Sequence, residues 1–282
     1  MNKTNGSILP TDLSKASLKD MMKFTGQADE GQEEVGLPRL SINHSAEDDE
    51  GNTLPRGYLA VRNPKTSEVV FGETAIIRPF IRLFMYSSWD NEAETFASQT
   101  VQLNTLNGIF YDSTGGERCG RLAKKEAEKL DPNSSEYALQ KNVKCNQVVY
   151  GRVTIDGINA RGEKSIVENL PVVWYVKGVS FIPIADFIKG LNKQKKPMWE
   201  TLAEVGALKK KKGANTFYGA TIKHKSNAEF SPDDKELMQH FFDGVKAFND
   251  SILRKHREAM KSTPKESDVS LGDSLEDELG TN

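Results

Sequence analysis

Short runs in which apolar and polar residues alternate dominate the centre of the chain, and they predict β-strands there. The run 145–155 is followed by a turn at 156–157 and by a second apolar run at 170–178. Two such runs with a polar connection between them are typical of a β-hairpin. A short amphipathic helix and a lysine-rich turn at 209–213 then lead to one more aromatic strand at 215–223.

The same two-residue period predicts strands in the first third of the chain. These strands are expected at 36–42, 58–62, 69–73 and 74–89. Pro79 cannot donate a ladder hydrogen bond, so the longest of these strands should have an edge or a bulge at that position. The polar segment 90–142 breaks the pattern, and we interpret it as an insertion between strands.

A long amphipathic helix is predicted near the C-terminus, over 231–257. Ser231 is suited to the N-cap, Pro232 to the first turn, and the acids that follow to the positive end of the helix dipole. Apolar residues recur at helical spacing from Leu237 to Ile252. This helix should therefore pack on the β-rich body.

Charge is strongly segregated along the chain, although the net charge is only −2. Residues 1–55 carry five basic and ten acidic side chains, and residues 264–282 carry one lysine and six acids. Between 177 and 225 there are eleven lysines and only three acids. A basic body between acidic ends is the pattern of a polyanion-binding protein whose ends compete for the same surface.

The sequence contains no motif for catalysis, a metal or a cofactor. It has no phosphate-binding loop, and its four histidines are isolated from one another. Cys119 and Cys145 cannot supply a disulfide framework or a four-sulfur zinc site, and the acidic run 47–50 lacks the spacing of a calcium loop. No membrane-length apolar run or signal pattern is present. We therefore expect a soluble, cytoplasmic protein (in the host cytoplasm if viral) that is not an enzyme and has no cofactor.

Cations interleaved with aromatic rings on β-strands are suited to single-stranded nucleic acid, because cations bind phosphates and rings stack on bases. Neighbouring rings in a strand point to opposite faces, so at least one ring of each aromatic pair should lie outside the core. The predicted phosphate contacts are Arg78, Arg82, Lys177, Lys193, Lys195, Lys196, Lys209, Lys210, Lys211 and Lys212. The predicted stacking rings are Tyr86, Trp89, Trp174, Tyr175, Phe217 and Tyr218. Core positions for the rings, and a solvated hairpin tip for the four consecutive lysines, are the alternative interpretations.

In its organisation the chain resembles the replicative single-stranded DNA-binding proteins of tailed phages. The shared features, over about 36–282, are a basic β-rich body with Tyr, Phe and Trp on its strands, a loop-borne lysine cluster and an acidic C-terminus. The resemblance implies an OB-fold, a five-stranded Greek-key barrel. It also implies an acidic tail that occupies the DNA groove or recruits polymerase and helicase. The chain lacks the cysteine and histidine cluster of the zinc-containing members, so a zinc ion is not implied.

We therefore predict an α+β, mainly β protein. A mobile arm at 1–35 should precede an OB-like body at 36–225 with its insertion at 90–142, a C-terminal helix within 226–262 and an acidic tail at 263–282. The expected function is sequence-independent coating of single-stranded DNA in replication, recombination or repair. The tail would regulate binding and recruit partners, and self-association is left open. The alternatives are a phage virion or scaffold-type structural protein and, less favoured, a magnesium-dependent nuclease using the carboxylates at 47–50.

Overall fold

The computed structural model describes residues 36–90, 93 and 95–262. The predicted N-terminal arm at 1–35 and the acidic tail at 263–282 lie outside the described residues. The nine strands are β1 (Arg39–Ile42), β2 (Leu59–Arg62), β3 (Val69–Gly72), β4 (Thr74–Asp90), β5 (Thr95–Gln99), β6 (Lys144–Ile158), β7 (Lys164–Val176), β8 (Thr201–Lys212) and β9 (Asn215–Asn227). The α-helices are α1 (Lys124–Ala127), α2 (Ser135–Asn142), α3 (Phe181–Lys193) and α4 (Pro232–Ser262).

Five strands close into a barrel. β2 pairs antiparallel with β1 and β3, and β3 meets β6 where Phe71 lies opposite Ile158. β6 pairs antiparallel with β7, which returns to lie parallel to β1 with Val173 opposite Arg39. This last pairing completes the ring. The predicted α+β, mainly β architecture with an OB-like barrel and a packed C-terminal helix is confirmed.

Inward-facing, mostly β-branched side chains fill the barrel, as the two-residue period predicts. They include Leu40, Leu59, Val61, Val70, Val149, Val153, Ile155, Val167, Val172, Trp174 and Val176, all at most 4% exposed. Ile184 and Ile188 of α3 pack on the same cluster. Gly157 allows β3 to approach β6, because a Cβ there would collide with the carbonyl oxygen of Phe71.

The 17-residue strand β4 extends the sheet beyond the barrel. It pairs with β6 from Ile76 to Ser87, and the pairing shifts register between Pro79 and Ile81. The bulge expected at Pro79 is therefore present. The start of β4 pairs with β8, and β8 continues into the β8–β9 hairpin. The predicted insertion 90–142 contains β5, which pairs with the end of β4, together with α1 and α2.

The C-terminal helix covers the outer face of β4, β6 and β7. Phe241 and Val245 of α4 pack against a second apolar cluster that includes Phe80, Met85 and Val148. α4 is 31 residues long and continues beyond the predicted end at 257. No helix in the described residues is both long and apolar enough to cross a membrane.

A buried carboxylate anchors the start of α4. Asp234 is 1% exposed, and its Oδ2 accepts hydrogen bonds from the backbone nitrogen and the hydroxyl of Ser231, at 2.9 and 2.8 Å. The guanidinium groups of Arg78 and Arg152 contact the two carboxylate oxygens at 2.9 and 3.0 Å. Burial raises the pKa of Asp234, but the Ser231 hydrogen bonds and the two arginine charges outweigh it and hold this pKa below the ordinary 3.8. The helix is thus tied to β4 and β6 through one ionised group.

We expect Asp234→Asn to lower the free energy of unfolding by about 3 kcal/mol, because it leaves two partly buried guanidinium groups without a counter-charge. The contribution of Asp234 should be present above its ordinary pKa of 3.8 and lost as the pH falls through its lower folded-state pKa. Urea unfolding at pH 7 and at pH 3 measures both effects. The control is Asp156→Asn, whose exposed carboxylate lies 3.9 Å from Lys164 and should change stability by less than about 1 kcal/mol. Equal losses in the two variants would contradict the anchoring role.

Candidate nucleic-acid interface

Two of the residues predicted to contact DNA lie inside the protein. Trp174 is 3% exposed and belongs to the barrel interior. The side chain of Arg78 is 12% exposed, binds Asp234, and donates a hydrogen bond to the carbonyl oxygen of Trp199 at 2.7 Å. Neither group is available to a ligand in this structure. Of the adjacent pair Trp174 and Tyr175, the alternation of the strand places Tyr175 on the outer face.

The predicted residues toward the end of β4 differ in their exposure and their contacts. Arg82 is partly exposed, and its guanidinium carbon lies 4.8 Å from the ring centroid of Phe84. Burial lowers the pKa of Arg82. Tyr86 packs edge-on against Phe110, with ring centroids 5.0 Å apart. Trp89 is 43% exposed.

The β8–β9 hairpin forms a projecting lysine arm, which we define as residues 207–212 and 215–220. The pairing of β4 with β8 ends where Thr74 lies opposite Gly206, so β8 and β9 pair only with each other beyond that point. Lys209 and Lys211 share one face with Tyr218, and Lys210 and Lys212 share the other face with Phe217. The arm contains no acidic residue, and none of its four lysines has an ion pair among the described residues.

The β1–β2 loop supports the arm from one side. The ring of Tyr218 lies directly over Gly57, where an added Cβ would overlap it, and its centroid is 6.0 Å from that of His44. Gly57 has φ +86, a left-handed conformation that glycine adopts without strain. The ring of Tyr218 is therefore partly engaged, while Phe217 on the opposite face is the freer candidate for stacking.

Exposed apolar side chains lie beside the base of the arm. Leu208 is 55% exposed and lies opposite Gly219 in the hairpin. A Cβ added to Gly219 would be 3.1 Å from Cγ2 of Val179 and 3.5 Å from Cε of Lys210. Val179 itself is 41% exposed. The arm thus combines cationic ends with an apolar flank, as a surface that binds phosphates and bases requires.

Three more of the predicted lysines lie at and after the C-terminal end of α3. Lys193 and Lys195 are exposed. Lys196 is tied to β9, because its ammonium donates a hydrogen bond to Oδ1 of Asn227 at 2.7 Å and lies 3.5 Å from Nε2 of His224. This group is not brought together with the four lysines of the arm by any contact in the described residues.

The sequence predicted Lys177 and Tyr175 as contacts, but it did not identify the two cations that lie near them on the outer face of the barrel. The guanidinium carbon of Arg39 lies 4.8 Å from the ring centroid of Tyr175. Burial lowers the pKa of Lys177, and the charges of Arg39 and Lys144 lower it further. We call Arg39, Lys144, Lys177 and Tyr175 the outer cation cluster. Arg39 becomes part of it because β1 pairs with β7, and Lys144 because β6 pairs with β7. The first of these pairings is not encoded in the local pattern.

Two of the groups considered for metal binding are the acidic run 47–50 and Cys119. In the acidic run 47–50, Asp48 accepts hydrogen bonds from Glu50 and Asn52, which close a turn. Burial raises the pKa of the Cys119 thiol to about 11. Among the described residues no three His, Cys, Asp or Glu side chains are grouped closely enough to hold a metal ion.

The chain matches no protein-family model, and no curated protein or solved structure is significantly similar to it. The functional interpretation therefore depends on the geometry and the charge of these surfaces.

We expect Gly57→Ala to loosen the lysine arm, because the added Cβ displaces the ring of Tyr218. Gly51→Ala is a matched control: Gly51 lies in the same loop with φ +84, but an added Cβ there meets no atom within 4 Å. Each variant should lose about 1 kcal/mol from the left-handed backbone. Only Gly57→Ala should also accelerate amide hydrogen exchange at 215–219. Indistinguishable exchange in the two variants would show that Tyr218 does not hold the arm.

Proposed function

We propose that this protein binds single-stranded DNA without sequence preference and coats it during replication, recombination or repair. The observation that carries the proposal is the lysine arm, a two-stranded ribbon with four consecutive lysines and no acidic residue. Cations that already have protein counter-ions gain little from a phosphate. Those of the arm have none among the described residues, so a polyanion is the ligand that their charge favours.

The geometry of the arm is suited to a flexible strand. Lysines that share a face are two residues apart, which is about 7 Å along a β-strand. A row of point charges at this spacing follows successive phosphates but does not read bases, because phosphate contacts carry no sequence information. Phe217 lies opposite Lys210, on the face that also carries Lys212, and supplies a ring for stacking, whose contribution is about 1–3 kcal/mol per base.

The acidic tail at 263–282 is the proposed regulator of this surface. Residues 264–282 carry six acids and one lysine, a charge opposite to that of the arm. We propose that the tail competes with DNA for the lysines and, when displaced, recruits replication proteins such as a polymerase or a helicase.

The first test replaces Lys209, Lys210, Lys211 and Lys212 together by Gln. Binding of a labelled dT oligonucleotide is followed by fluorescence anisotropy at several salt concentrations, with duplex of equal length as competitor. We expect tight, salt-sensitive binding by the parent that duplex does not displace. The variant should bind more weakly, and the slope of log K against log salt should fall by about 0.7 for each lysine that contacts a phosphate.

The control for this test removes lysines that lie elsewhere. Lys124→Gln and Lys164→Gln alter exposed side chains that pair with Glu128 and Asp156. If the arm variant and the control bind as the parent does, the arm is not the interface. A parent protein that forms concentration-dependent oligomers but does not bind dT at low salt would favour the structural-protein alternative.

The second test deletes residues 263–282. Because the tail and the arm have opposite charges, we expect the truncated protein to bind dT more tightly at low salt and equally at high salt, where the attraction is screened. Recruitment of replication proteins in a pull-down should be lost. Unchanged affinity at every ionic strength would exclude competition between the tail and DNA.

A further inference from the structure

The outer cation cluster brings together residues from three separate parts of the chain. Arg39 begins β1, Lys144 begins β6, and Lys177 directly follows β7. Arg39 lies opposite Val173 in the parallel pairing, and Tyr175 lies opposite Val148 in the antiparallel pairing. Because side chains alternate along a strand, Arg39, Lys144, Tyr175 and Lys177 all project from the outer face of the barrel.

Tyr175 gives the cluster a rigid centre. Its ring packs against the outer apolar cluster beneath α4, and burial raises the pKa of its hydroxyl. The guanidinium carbon of Arg39 lies 4.8 Å from the centroid of this ring. The cationic side chains of Arg39, Lys144 and Lys177, in contrast, are exposed at the surface. The cationic groups of the cluster are therefore accessible to solvent around a packed tyrosine ring.

No acidic residue in the described part of the chain pairs with any of these three cations. They are close enough that Arg39 and Lys144 add to burial in lowering the pKa of Lys177. Another pair of cations in the same sheet is paired, because Arg78 and Arg152 share the carboxylate of Asp234. Because these three like charges repel one another and have no counter-ion, an anion that binds among them would be stabilised.

A short turn connects the cluster to the lysine arm. Lys177 is followed by the 3₁₀ turn Gly178–Ser180, and the hydroxyl of Ser180 accepts a hydrogen bond from the backbone nitrogen of Ala220 at 2.9 Å. Val179 of this turn lies beside Gly219, next to the stem of Lys210. The arm and the cluster are therefore neighbours on one continuous surface.

We propose that Arg39, Lys144 and Lys177 form a phosphate-binding site around Tyr175, which takes a backbone phosphate of a DNA strand that continues from the lysine arm across the Gly178–Ser180 turn. Guanidinium and ammonium groups together suit a phosphodiester, because the planar fork of Arg binds two oxygens and each Lys adds a point charge. This inference rests on the proposed function and adds a second contact to the proposed DNA-binding surface. The site would hold the strand at a second place, beyond the reach of the arm alone.

The test compares two triple variants with the same change in charge. The cluster variant carries Arg39→Gln, Lys144→Gln and Lys177→Gln. The control carries Arg161→Gln, Lys124→Gln and Lys164→Gln, which replace one Arg and two Lys that pair with acids elsewhere. The probes are a short dT oligonucleotide that covers the arm and a longer one that also reaches the cluster.

For the long oligonucleotide, the cluster variant should show a salt slope smaller by about 0.7, because one phosphate contact is lost, and the control should not. For the short oligonucleotide, both variants should bind as the parent does. If the cluster variant behaves as the control with both probes while the lysine-arm variant has lost affinity, the cluster proposal is overturned and the proposed function stands. If the parent binds neither oligonucleotide, both fail.

Two further measurements address misfolding of the triple variant and the identity of the bound anion. Lys177→Gln alone changes one exposed residue after the end of β7 and serves if the triple variant does not fold; it should weaken binding of the long oligonucleotide and lower the slope by less than about 0.7. Inorganic phosphate, compared with chloride at equal ionic strength, distinguishes the source of the anion. A phosphodiester site predicts little competition by free phosphate, whereas full displacement of the long oligonucleotide from the cluster would identify a site for free phosphate and overturn the assignment to DNA.

Discussion

The parallel pairing of β1 with β7 is the constraint on which both the fold and the proposed surface depend. It involves only two residue pairs, Arg39 with Val173 and Leu40 with Trp174. Both residues of the second pair face inward, so Leu40 and Trp174 close the apolar interior. Both residues of the first pair face outward, which puts Arg39 beside Tyr175. Barrel closure therefore also adds Arg39 to the outer cation cluster, and a slip by one residue would exchange the two faces.

The charges of this protein fall into two physically different groups. Arg78 and Arg152 are withdrawn from solvent around Asp234, where they hold the long helix to the sheet. The lysines of the arm and the three cations around Tyr175 have no acidic partners among the described residues, and all of them are exposed except Lys210, which is partly exposed. A cation that is paired inside the structure contributes to stability, whereas an unpaired one on a fixed framework contributes to ligand affinity. Whether a cation is an arginine or a lysine does not decide its group, since arginines occur in both groups.

The sequence predicted the secondary-structure elements better than it predicted which residues the tertiary fold brings together. Most strands, the bulge at Pro79 and the amphipathic face of α4 follow from local period and composition, so they could be predicted. β5 and β8 were not predicted, and the four lysines expected in a turn at 209–213 lie in β8 instead, because a run of lysines has no two-residue period. Alternation showed that Trp174 and Tyr175 must point in opposite directions, but not which of them points inward, because that depends on the register with β1 and β6. Arg78 was grouped with the phosphate contacts for the same reason: its partner Asp234 is far along the chain. Arg39 and Lys144 were missed because each is unremarkable until strands from distant segments lie side by side.

The lysines of the β8–β9 hairpin affect self-association of the protein as well as its proposed binding of nucleic acid. β9 is a 13-residue strand at the end of the sheet order, with β8 as its partner strand among the described residues. A long free edge of this kind is a template on which a second copy can add its own edge strand. Lys223 and Lys225 on this edge share Glu204 as a counter-charge, so it is mainly the four lysines of the neighbouring strand that make such an approach electrostatically unfavourable. The residues that we assign to DNA thus also keep unoccupied molecules apart, and neutralising them weakens a barrier to self-association as well as a binding site.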